Sequence, residues 1–297
     1  SPEISQMFGE IIGLFLINYW EEKIKTNFNL IELGPGKGTL LNDILRTSSI
    51  NKKFLNSMNI TLIEKNKSLI EIQKKNINFE KISWSRKFNV TNKNIPSIIY
   101  SNEFFDCFPV RQFHKKDKWL EKYVDYNEVE QNFTFVSHQV QDNTILKSLT
   151  KFEHVKVAEI AHSRDKYFKS VCKFIKQHKG VFITIDYGYK NPPNQFSLQT
   201  IYNHKKTHLF DNIGNQDITA HVNFNALLFI ANKYKLKIES FCSQKDFLIF
   251  CGIEERMKNL QKNKNQEDSA NLYSAYNRLV SKPQMGEIFK VLVISCL

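Results

Sequence analysis

Cysteine pairs are missing from this sequence of 297 residues. Its five cysteines are an odd number, and no two of them form a Cys-x-x-Cys pair. Such a set provides neither a disulfide framework nor a zinc knuckle, and no metal site is expected. Several of the cysteines lie in apolar runs, where cysteine usually acts as a small buried hydrophobic residue. This usage is typical of proteins from a reducing compartment.

Arginine is also scarce. The net charge is +12, but only six of the 42 basic residues are arginine. Arginine is the side chain best suited to bidentate contacts with phosphate and guanine, and the lysines are scattered along the chain. The positive charge therefore indicates mainly a solvated surface, and nucleic-acid binding is kept only as a minority interpretation.

Long apolar runs are absent as well. No run approaches the ~18 residues that a membrane-spanning helix needs, and no signal peptide is expected at the start of the chain. The chain begins with Ser1 rather than methionine, and its first residues already resemble the start of a helix. We therefore expect an N-terminal segment to be missing or removed. The hydrophobic share of 41% and the charged share of 24% are typical of a globular protein with a core.

What the sequence does contain is a regular alternation of strand and helix patterns. Short apolar runs over 28–33, 59–64, 80–85 and 96–101 are separated by helical stretches, which indicates a doubly wound α/β sheet covered on both faces. The first helix is expected to be capped by the segment Ser-Pro-Glu at 1–3. The other predicted elements are helices over 3–25, 157–178 and 223–234, two helices within 246–280, and strands over 181–186, 236–242 and 288–296.

Two segments interrupt this alternation. Alternating polar and apolar residues over 112–140 predict a β-hairpin, and we interpret 112–150 as an inserted subdomain of a single domain that spans 1–297. Residues 187–221 are polar, contain two adjacent prolines and have little periodicity. A segment of this length is usually functional, and it is predicted to be a long active-site loop.

The most informative local motif is a glycine turn between the first predicted strand and the helix that follows it. Glycines permit a tight turn there, and backbone N–H groups at the start of the helix can meet a ligand. A dinucleotide-binding turn reads Gly-x-Gly-x-x-Gly, but here the third glycine comes one residue early. The pattern therefore suits a ligand without a pyrophosphate, such as S-adenosylmethionine, whose carboxylate can meet the turn and whose cationic part can meet Glu32. The alternative is a tight turn without a ligand. The cofactor-binding residues expected here are Glu32, Gly34, Pro35, Gly36, Gly38 and Thr39.

Glu64 adds a second group to this predicted cofactor site. It closes the second predicted strand, 26 residues after Gly38 (64 − 38). A carboxylate at this position can accept hydrogen bonds from both hydroxyls of a ribose, as the acid does in dinucleotide sites. The alternative is an ordinary charged residue at a strand end.

A second group of polar residues follows the predicted strand at 96–101. The carboxyl ends of parallel strands line the ligand crevice in this architecture, so Asn102, Glu103 and Asp106 are expected to converge near the cofactor. Two acids beside the apolar pair Phe104 and Phe105 can hold a cationic or amino substrate. In the alternative interpretation, Asn102 caps a helix and the acids interact with its dipole. Both interpretations can hold together.

Three further candidates come from later segments. The string Ile-Asp-Tyr-Gly at 185–188 ends a central strand, so Asp186 and Tyr187 are expected to face the same crevice. His221 lies where the predicted loop enters a helix, and it could act as a base or as an orienting group. A lone histidine is, however, more often structural.

Taken with these motifs, the sequence resembles the MidA-type methyltransferase family. The resemblance runs from the first residue to the last strand. It implies a class I, Rossmann-like methyltransferase sheet, mostly parallel with one antiparallel strand, with β-hairpin and helical insertions. It also implies S-adenosylmethionine as the cofactor. The matching strings are SPEISQMFGE at 1–10, ELGPGKGTL at 32–40, SNEFFDCFPVRQF at 101–113, IDYG at 185–188, DITAHVNF at 217–224, FLIFCGI at 247–253 and MGEIFKVL at 285–292.

The resemblance also implies a substrate. Animal members of the family are mitochondrial complex I assembly factors that methylate an arginine of a complex I subunit, so the expected partner is a protein of this kind. Glu103 is then the first candidate to orient the guanidinium and accept its proton, with Asp106, Asp186 and Tyr187 in support. The expected location is the cytoplasm of a bacterium, or the mitochondrial matrix in a eukaryotic cell.

Other functions stay open. The chain could methylate RNA or a small molecule, or it could be a non-catalytic assembly factor that keeps the cofactor fold as a scaffold. A dehydrogenase is disfavoured by the glycine spacing. The sequence leaves the oligomeric state undetermined.

Overall fold

The computed structural model describes residues 2–88, 94–203, 205–262 and 264–297. The chain forms two compact units, each built from separate stretches of sequence. The first unit consists of Ser1–Phe104, Lys169–Tyr187 and Leu228–Leu297, and the second consists of Phe105–Phe168 and Gly188–Leu227. Within the described ranges, no helix is both long and apolar enough to cross a membrane.

Helices and strands alternate along most of the chain. The strands are β1 (Phe28–Leu33), β2 (Met58–Ile63), β3 (Ile82–Ser85), β4 (Ser97–Asn102), β5 (Arg111–Lys115), β6 (Trp119–Asn127), β7 (Asn132–Gln139), β8 (Val157–Ile160), β9 (Gly180–Tyr189), β10 (Gln199–Tyr202), β11 (Lys205–Thr207), β12 (Asp217–Thr219), β13 (Val222–Asn223), β14 (Lys237–Ser243) and β15 (Phe289–Cys296). The helices are α1 (Gln6–Tyr19), α2 (Thr39–Ser48), α3 (Lys52–Ser57), α4 (Lys67–Asn76), α5 (Asn143–Leu149), α6 (His162–His178), α7 (Phe224–Lys233), α8 (Gln244–Phe250), α9 (Ile253–Gln261), α10 (Gln266–Val280) and α11 (Met285–Ile288).

The first unit is built on one twisted sheet. Its strand order is β14-β15-β9-β4-β1-β2-β3, and β15 is antiparallel to both of its neighbours. The pairs among β9, β4, β1, β2 and β3 are parallel. This confirms the predicted doubly wound, mostly parallel sheet with one antiparallel strand. All six residues of β1 are buried, as expected for a central strand covered on both faces. The carboxyl ends of β1, β2, β4 and β9 therefore lie along one edge of the sheet, where this architecture binds ligands.

Helix α2, which starts at the predicted cofactor turn, is tied to two other helices by charged groups. Glu10 of α1 is only 8% exposed. Its carboxylate accepts hydrogen bonds from Arg256 Nε of α9 at 2.8 Å and from an Arg46 nitrogen of α2 at 3.4 Å. Arg46 also contacts Asp43 at 2.9 Å. Since these groups are partly desolvated, they fix the position of α2 more firmly than exposed ion pairs would.

The first helix begins later than predicted. Ser5 is its N-cap and accepts a hydrogen bond from the Met7 N–H at 3.2 Å, so the expected cap at 1–3 is wrong. The helix ends at Tyr19 and continues as one π-helical turn over Trp20–Ile24. Ser5 is the cap because its backbone is extended and its side chain reaches the second N–H of the helix. This is the geometry of an N-cap.

The second unit is largely β-structure. Strands β7, β6, β5 and β8 form one antiparallel sheet, which confirms the predicted hairpin and adds two strands to it. Residues 157–160, predicted as the start of a helix, are a strand because they pair with β5. This is a case in which tertiary pairing overrides local pattern.

The segment 187–221 also differs from the expectation. It contains β10, β11 and β12, which form a three-stranded sheet rather than a loop without secondary structure. The strands are only three or four residues long and polar, so they carry little periodicity. They are stabilised by contacts such as the hydrogen bond from Thr200 Oγ1 to the Thr207 carbonyl at 2.7 Å. The described residues of 244–280 hold three helices, α8, α9 and α10, where two were predicted over 246–280.

Candidate active site

The glycine turn connects β1 to α2 at the ligand-binding edge of the first unit. Gly34, Gly36 and Gly38 have φ values of +66°, +56° and +85°, which few other residues adopt without strain. The Gly38 N–H donates to the Pro35 carbonyl at 2.8 Å and closes the turn. Helix α2 then begins at Thr39, and no side chain caps it. Its first N–H groups have no acceptor inside the helix, so they can bind a carboxylate.

The three glycines have different surroundings. A Cβ atom at Gly34 would lie 2.7 Å from Phe104 Cδ2, and one at Gly38 would lie 2.7 Å from Ile77 Cδ1. Close packing therefore excludes a side chain at both positions. A Cβ at Gly36 would have no atom of the described residues within 4 Å. The turn thus leaves open space at Gly36, as a site for a bound ligand requires.

Helix α4 supports the glycine turn through a hydrogen bond from a buried glutamine. Gln73 is completely buried; its Nε2 donates to the Gly36 carbonyl at 2.7 Å and its Oε1 accepts from Trp84 Nε1 at 3.0 Å. Gln73 is not among the site residues predicted from the sequence. The signal was available, because Gln73 follows Leu69 and Ile70 at the four- and three-residue spacing of a buried helix face. A polar residue at such a position indicates a specific buried hydrogen bond.

Replacing Gln73 with Met should weaken binding of the predicted cofactor about tenfold, because a turn without its buried hydrogen bond is held less firmly. Trp84→Phe is the matched control, since it removes the other hydrogen bond of Gln73 and keeps the one to Gly36. Calorimetric titration of both variants with S-adenosylmethionine measures the effect. Unchanged affinity in Gln73→Met would show that Gln73 does not position the turn.

Glu64 follows β2 and is half-buried. Its Oε1 accepts a hydrogen bond from the Asn66 N–H at 2.9 Å, which fixes the carboxylate. Within the described part of the chain, no donor is bound to its Oε2. Glu64 therefore has an acceptor available for a ligand hydroxyl at the edge where the sequence predicts the ribose.

Asn102 ends β4, next to the glycine turn, because Ser101 pairs with Leu33. Its Nδ2 donates to Glu103 Oε1 at 3.1 Å, whereas its buried Oδ1 has no donor among the described residues. A buried acceptor without a partner costs about 1–3 kcal/mol. An ammonium or hydroxyl of a ligand would satisfy it. Together with the space at Gly36 and the acceptor at Glu64, this fits S-adenosylmethionine, which carries an ammonium, a carboxylate and ribose hydroxyls.

Glu32 lies in the middle of the sheet and is 2% exposed. The Tyr100 hydroxyl donates to its Oε2 at 3.0 Å. Burial raises the pKa of Glu32 to about 8, and the Tyr100 hydrogen bond opposes this shift. Near neutral pH the side chain is therefore largely a neutral acid. A cationic group beside Glu32 would favour its ionised carboxylate. The sequence predicts that Glu32 meets the cationic part of the cofactor.

The raised pKa of Glu32 makes the stability of the protein depend on pH. The folded state favours the neutral acid, so this contribution is complete below pH 4.5 and is lost as the pH rises through about 8. Glu32→Gln cannot ionise, and without cofactor its melting temperature should exceed that of the parent at pH 8 by about 3 °C or more. The difference should shrink towards pH 5. If the melting temperatures of the two proteins changed with pH in parallel, the raised pKa of Glu32 would be contradicted.

Glu103 follows β4 in a left-handed conformation, with φ of +50°. Its N–H donates to the Ile185 carbonyl at 2.9 Å, and the next N–H, of Phe104, donates to Asp186 Oδ2 at 3.1 Å. A residue other than glycine in this conformation stores about 1–3 kcal/mol of strain, which is frequent at functional sites. Ile185 and Asp186 of β9, which continues to Tyr189, therefore fix the backbone at Glu103.

Asp186 and Tyr187 belong to β9, in which they directly follow Ile185, the partner of the Glu103 N–H. Asp186 is completely buried, and its Oδ1 also accepts from the Tyr187 N–H at 3.0 Å. It thus connects the ends of β4 and β9 through backbone N–H groups. Tyr187 is 8% exposed and packs edge-on against Phe289, with ring centroids 5.4 Å apart. Asp186 therefore holds the backbone that follows Glu103, whereas the Tyr187 ring packs in the core.

The second unit brings Asp106 and His221 together. The Asp106 carbonyl accepts a hydrogen bond from the Ala220 N–H at 3.1 Å, and the His221 N–H donates to Ser197 Oγ at 2.9 Å. Ser197 is held in turn by the buried Glu159, to which its N–H donates at 3.0 Å. Burial lowers the pKa of His221, so the neutral imidazole that can accept a proton is favoured.

Thr39 is also among the predicted cofactor-binding residues. The Thr39 hydroxyl donates to Glu3 Oε1 at 2.6 Å, so it is engaged within the protein. Among the residues that the structure describes, no group of three or more His, Cys, Asp or Glu side chains could hold a metal ion.

The sequence matches known proteins along most of its length. A family model for S-adenosyl-L-methionine-dependent methyltransferases matches residues 11–242. The mitochondrial protein arginine methyltransferase NDUFAF7 of Xenopus tropicalis is 29% identical over 98% of this chain and 73% of its own length. The corresponding protein of Homo sapiens is 30% identical over 97% of this chain and 71% of its own length.

A solved structure matches the fold. It is a protein of Burkholderia thailandensis bound to S-adenosyl-homocysteine, with a TM-score of 0.85 and 22% sequence identity. The match covers 99% of this chain and 78% of that protein. The two chains therefore share one fold over nearly the whole sequence described here.

Proposed function

This chain belongs to the family of S-adenosyl-L-methionine-dependent methyltransferases, and we propose that it methylates an arginine side chain of a respiratory complex I subunit. S-adenosylmethionine supplies an electrophilic methyl group on its sulfonium. The task of the chain is then to align an acceptor nitrogen with that methyl group and to handle the charge of the acceptor.

The observation that carries the proposal is the position of Glu103. Its backbone directly follows Asn102, the end of β4, and is fixed by hydrogen bonds to Ile185 and Asp186, while its exposed carboxylate accepts a hydrogen bond from Asn102. A guanidinium is protonated at neutral pH, and a carboxylate can pair with it through two parallel hydrogen bonds. Glu103 would orient the guanidinium and localise its positive charge on the nitrogens that pair with the carboxylate, away from the nitrogen that is methylated. It would also accept the proton that methylation releases.

The other site residues have supporting roles in this proposal. Asn102, Glu64 and the glycine turn would bind the ammonium, the ribose and the carboxylate of the cofactor, and Glu32 would meet its cationic part. Asp106 and His221 stay the further catalytic candidates that the sequence predicts.

The substrate class comes from the relatives. The relatives described above are named mitochondrial protein arginine methyltransferases. The family resemblance links them to complex I assembly. We place the reaction in the mitochondrial matrix of a eukaryotic cell, or in the cytoplasm of a bacterium.

The test uses the full chain and S-adenosylmethionine with a labelled methyl group. The chain is incubated with purified complex I subunits, and the modified residue is located by mass spectrometry. Label on an arginine supports the proposal. Cofactor binding without any transfer would favour the non-catalytic scaffold instead. Transfer only in a parallel incubation with RNA or with a small-molecule extract would identify a different acceptor.

A further inference from the structure

One face of the β6–β7 hairpin exposes a row of apolar side chains. Val124 lies opposite Phe135 and Tyr126 lies opposite Phe133 in the strand register, so the four share a face. They are 52%, 37%, 48% and 42% exposed, respectively. Phe210 packs beside them, with its ring centroid 4.9 Å from that of Phe135. We refer to these five residues as the hairpin face. Exposed apolar patches of this kind mark interaction sites in soluble proteins.

A cavity of about 260 Å³ adjoins the hairpin face. Phe135 belongs to both, and Lys122 precedes Val124 by two residues, so it points to the same side of the hairpin. Lys206 and His208 line the cavity as well, and the described lining residues include no Asp or Glu. The cavity is therefore suited to an anionic group.

Lys122 is held in an unusual place for a lysine. Its Nζ lies 3.5 Å from the ring centroid of Phe135 and 5.2 Å from that of Phe196. Burial lowers the pKa of this ammonium. A cation that has lost part of its hydration interacts more strongly with an incoming anion than a fully solvated one. The two rings also fix its direction, which lowers the entropic cost of binding.

The ring geometry favours a protein over a nucleic acid. Tyr126 and Phe133 meet at 64°, and Phe135 and Phe210 meet at 45°. Nucleobases need flat platforms on which successive bases can stack, whereas inclined rings leave gaps that apolar side chains can fill. Lysines rather than arginines provide the charge, which also argues against dedicated phosphate recognition.

We propose that the hairpin face and this cavity bind an acidic segment of the protein substrate that contains aromatic or aliphatic residues. Carboxylates of the segment pair with Lys122 and Lys206, and its apolar side chains pack on the hairpin face. The inference rests on the proposed function in one respect, namely that the substrate is a protein.

The experiment measures binding to the full chain by fluorescence anisotropy. The probe is a labelled random copolymer of glutamate and tyrosine, which offers many registers of acidic and aromatic residues. Polyglutamate, a lysine–tyrosine copolymer, single-stranded poly(U) and inorganic phosphate are the competitors. The variants are Lys206→Met, which removes an exposed charge, and Lys122→Arg, which keeps the charge. Lys118→Met, in the exposed turn before β6, is the matched control.

The proposal expects the glutamate–tyrosine probe to bind more tightly than polyglutamate. Lys206→Met should weaken it about fivefold, Lys122→Arg should alter it less, and Lys118→Met should leave it unchanged. Equal binding of the lysine–tyrosine copolymer, preference for poly(U), displacement by phosphate alone or no binding would each overturn it. Because the readout is binding, it is independent of methyl transfer. Probe binding without arginine methylation would refute arginine as the acceptor and leave the binding of an acidic protein segment standing.

Discussion

Glu103→Gln should lower the rate of methyl transfer at least about 100-fold, because the variant can neither localise the charge of a guanidinium nor accept its proton. Its affinity for S-adenosylmethionine should stay within about twofold of the parent. The glutamine oxygen can still accept the hydrogen bond from Asn102 Nδ2, which in the parent measures 3.1 Å. Single-turnover transfer to the identified substrate, with calorimetric titration of the cofactor, measures both quantities.

Glu64→Gln is the matched control for this substitution. It also replaces a carboxylate at a strand end, but it should weaken cofactor binding rather than the chemical step. Normal turnover of Glu103→Gln on the true substrate would rule out Glu103 as the group that handles the proton. A loss of cofactor affinity in that variant would instead assign Glu103 to the cofactor site.

The second large effect is expected at Gly36. Gly36→Val should abolish measurable binding of S-adenosylmethionine, a loss of at least about 100-fold. Its φ of +56° is strongly unfavourable for a β-branched residue, and the added methyl groups would fill the open space above the turn. Because a Cβ there meets no atom of the described residues within 4 Å, the rest of the unit is not displaced.

Gly214→Val provides the control for backbone strain. Gly214 lies in the second unit with φ of +86° and likewise has open space around its missing Cβ. Both variants should lose similar stability, but only Gly36→Val should lose the cofactor. Equal cofactor affinity in Gly36→Val and the parent would show that the ligand does not occupy the space at Gly36.

Much of this protein could be predicted from local sequence. The first strand was predicted with its observed bounds, and β2 and β4 within one residue. The glycine turn, the acid after β2 and the polar group after β4 were found from their order along the chain. These features are determined locally, because a strand, its exit and the turn that follows are encoded in fewer than about ten consecutive residues.

The errors came from short polar strands and from a change of structure within one predicted helix. Strands β10, β11 and β12 are stabilised mainly by their neighbours in the sheet, and Val157–Ile160 pairs with β5. A strand forms only with a partner strand, which can be distant in sequence. The sequence pattern of a strand is therefore a weaker signal than that of a helix.

The sequence by itself determined the fold class, the family resemblance and the place of the glycine turn, since all three follow from short local patterns and their order along the chain. Only the tertiary structure decided how that turn is held and charged. Gln73 reaches Gly36 across 37 residues, Tyr100 reaches Glu32 across 68, and Asp186 reaches the Phe104 N–H across 82. Burial and hydrogen bonding over such separations exist only once the sheet has brought the strand ends together, because desolvation and donor geometry are properties of the folded state.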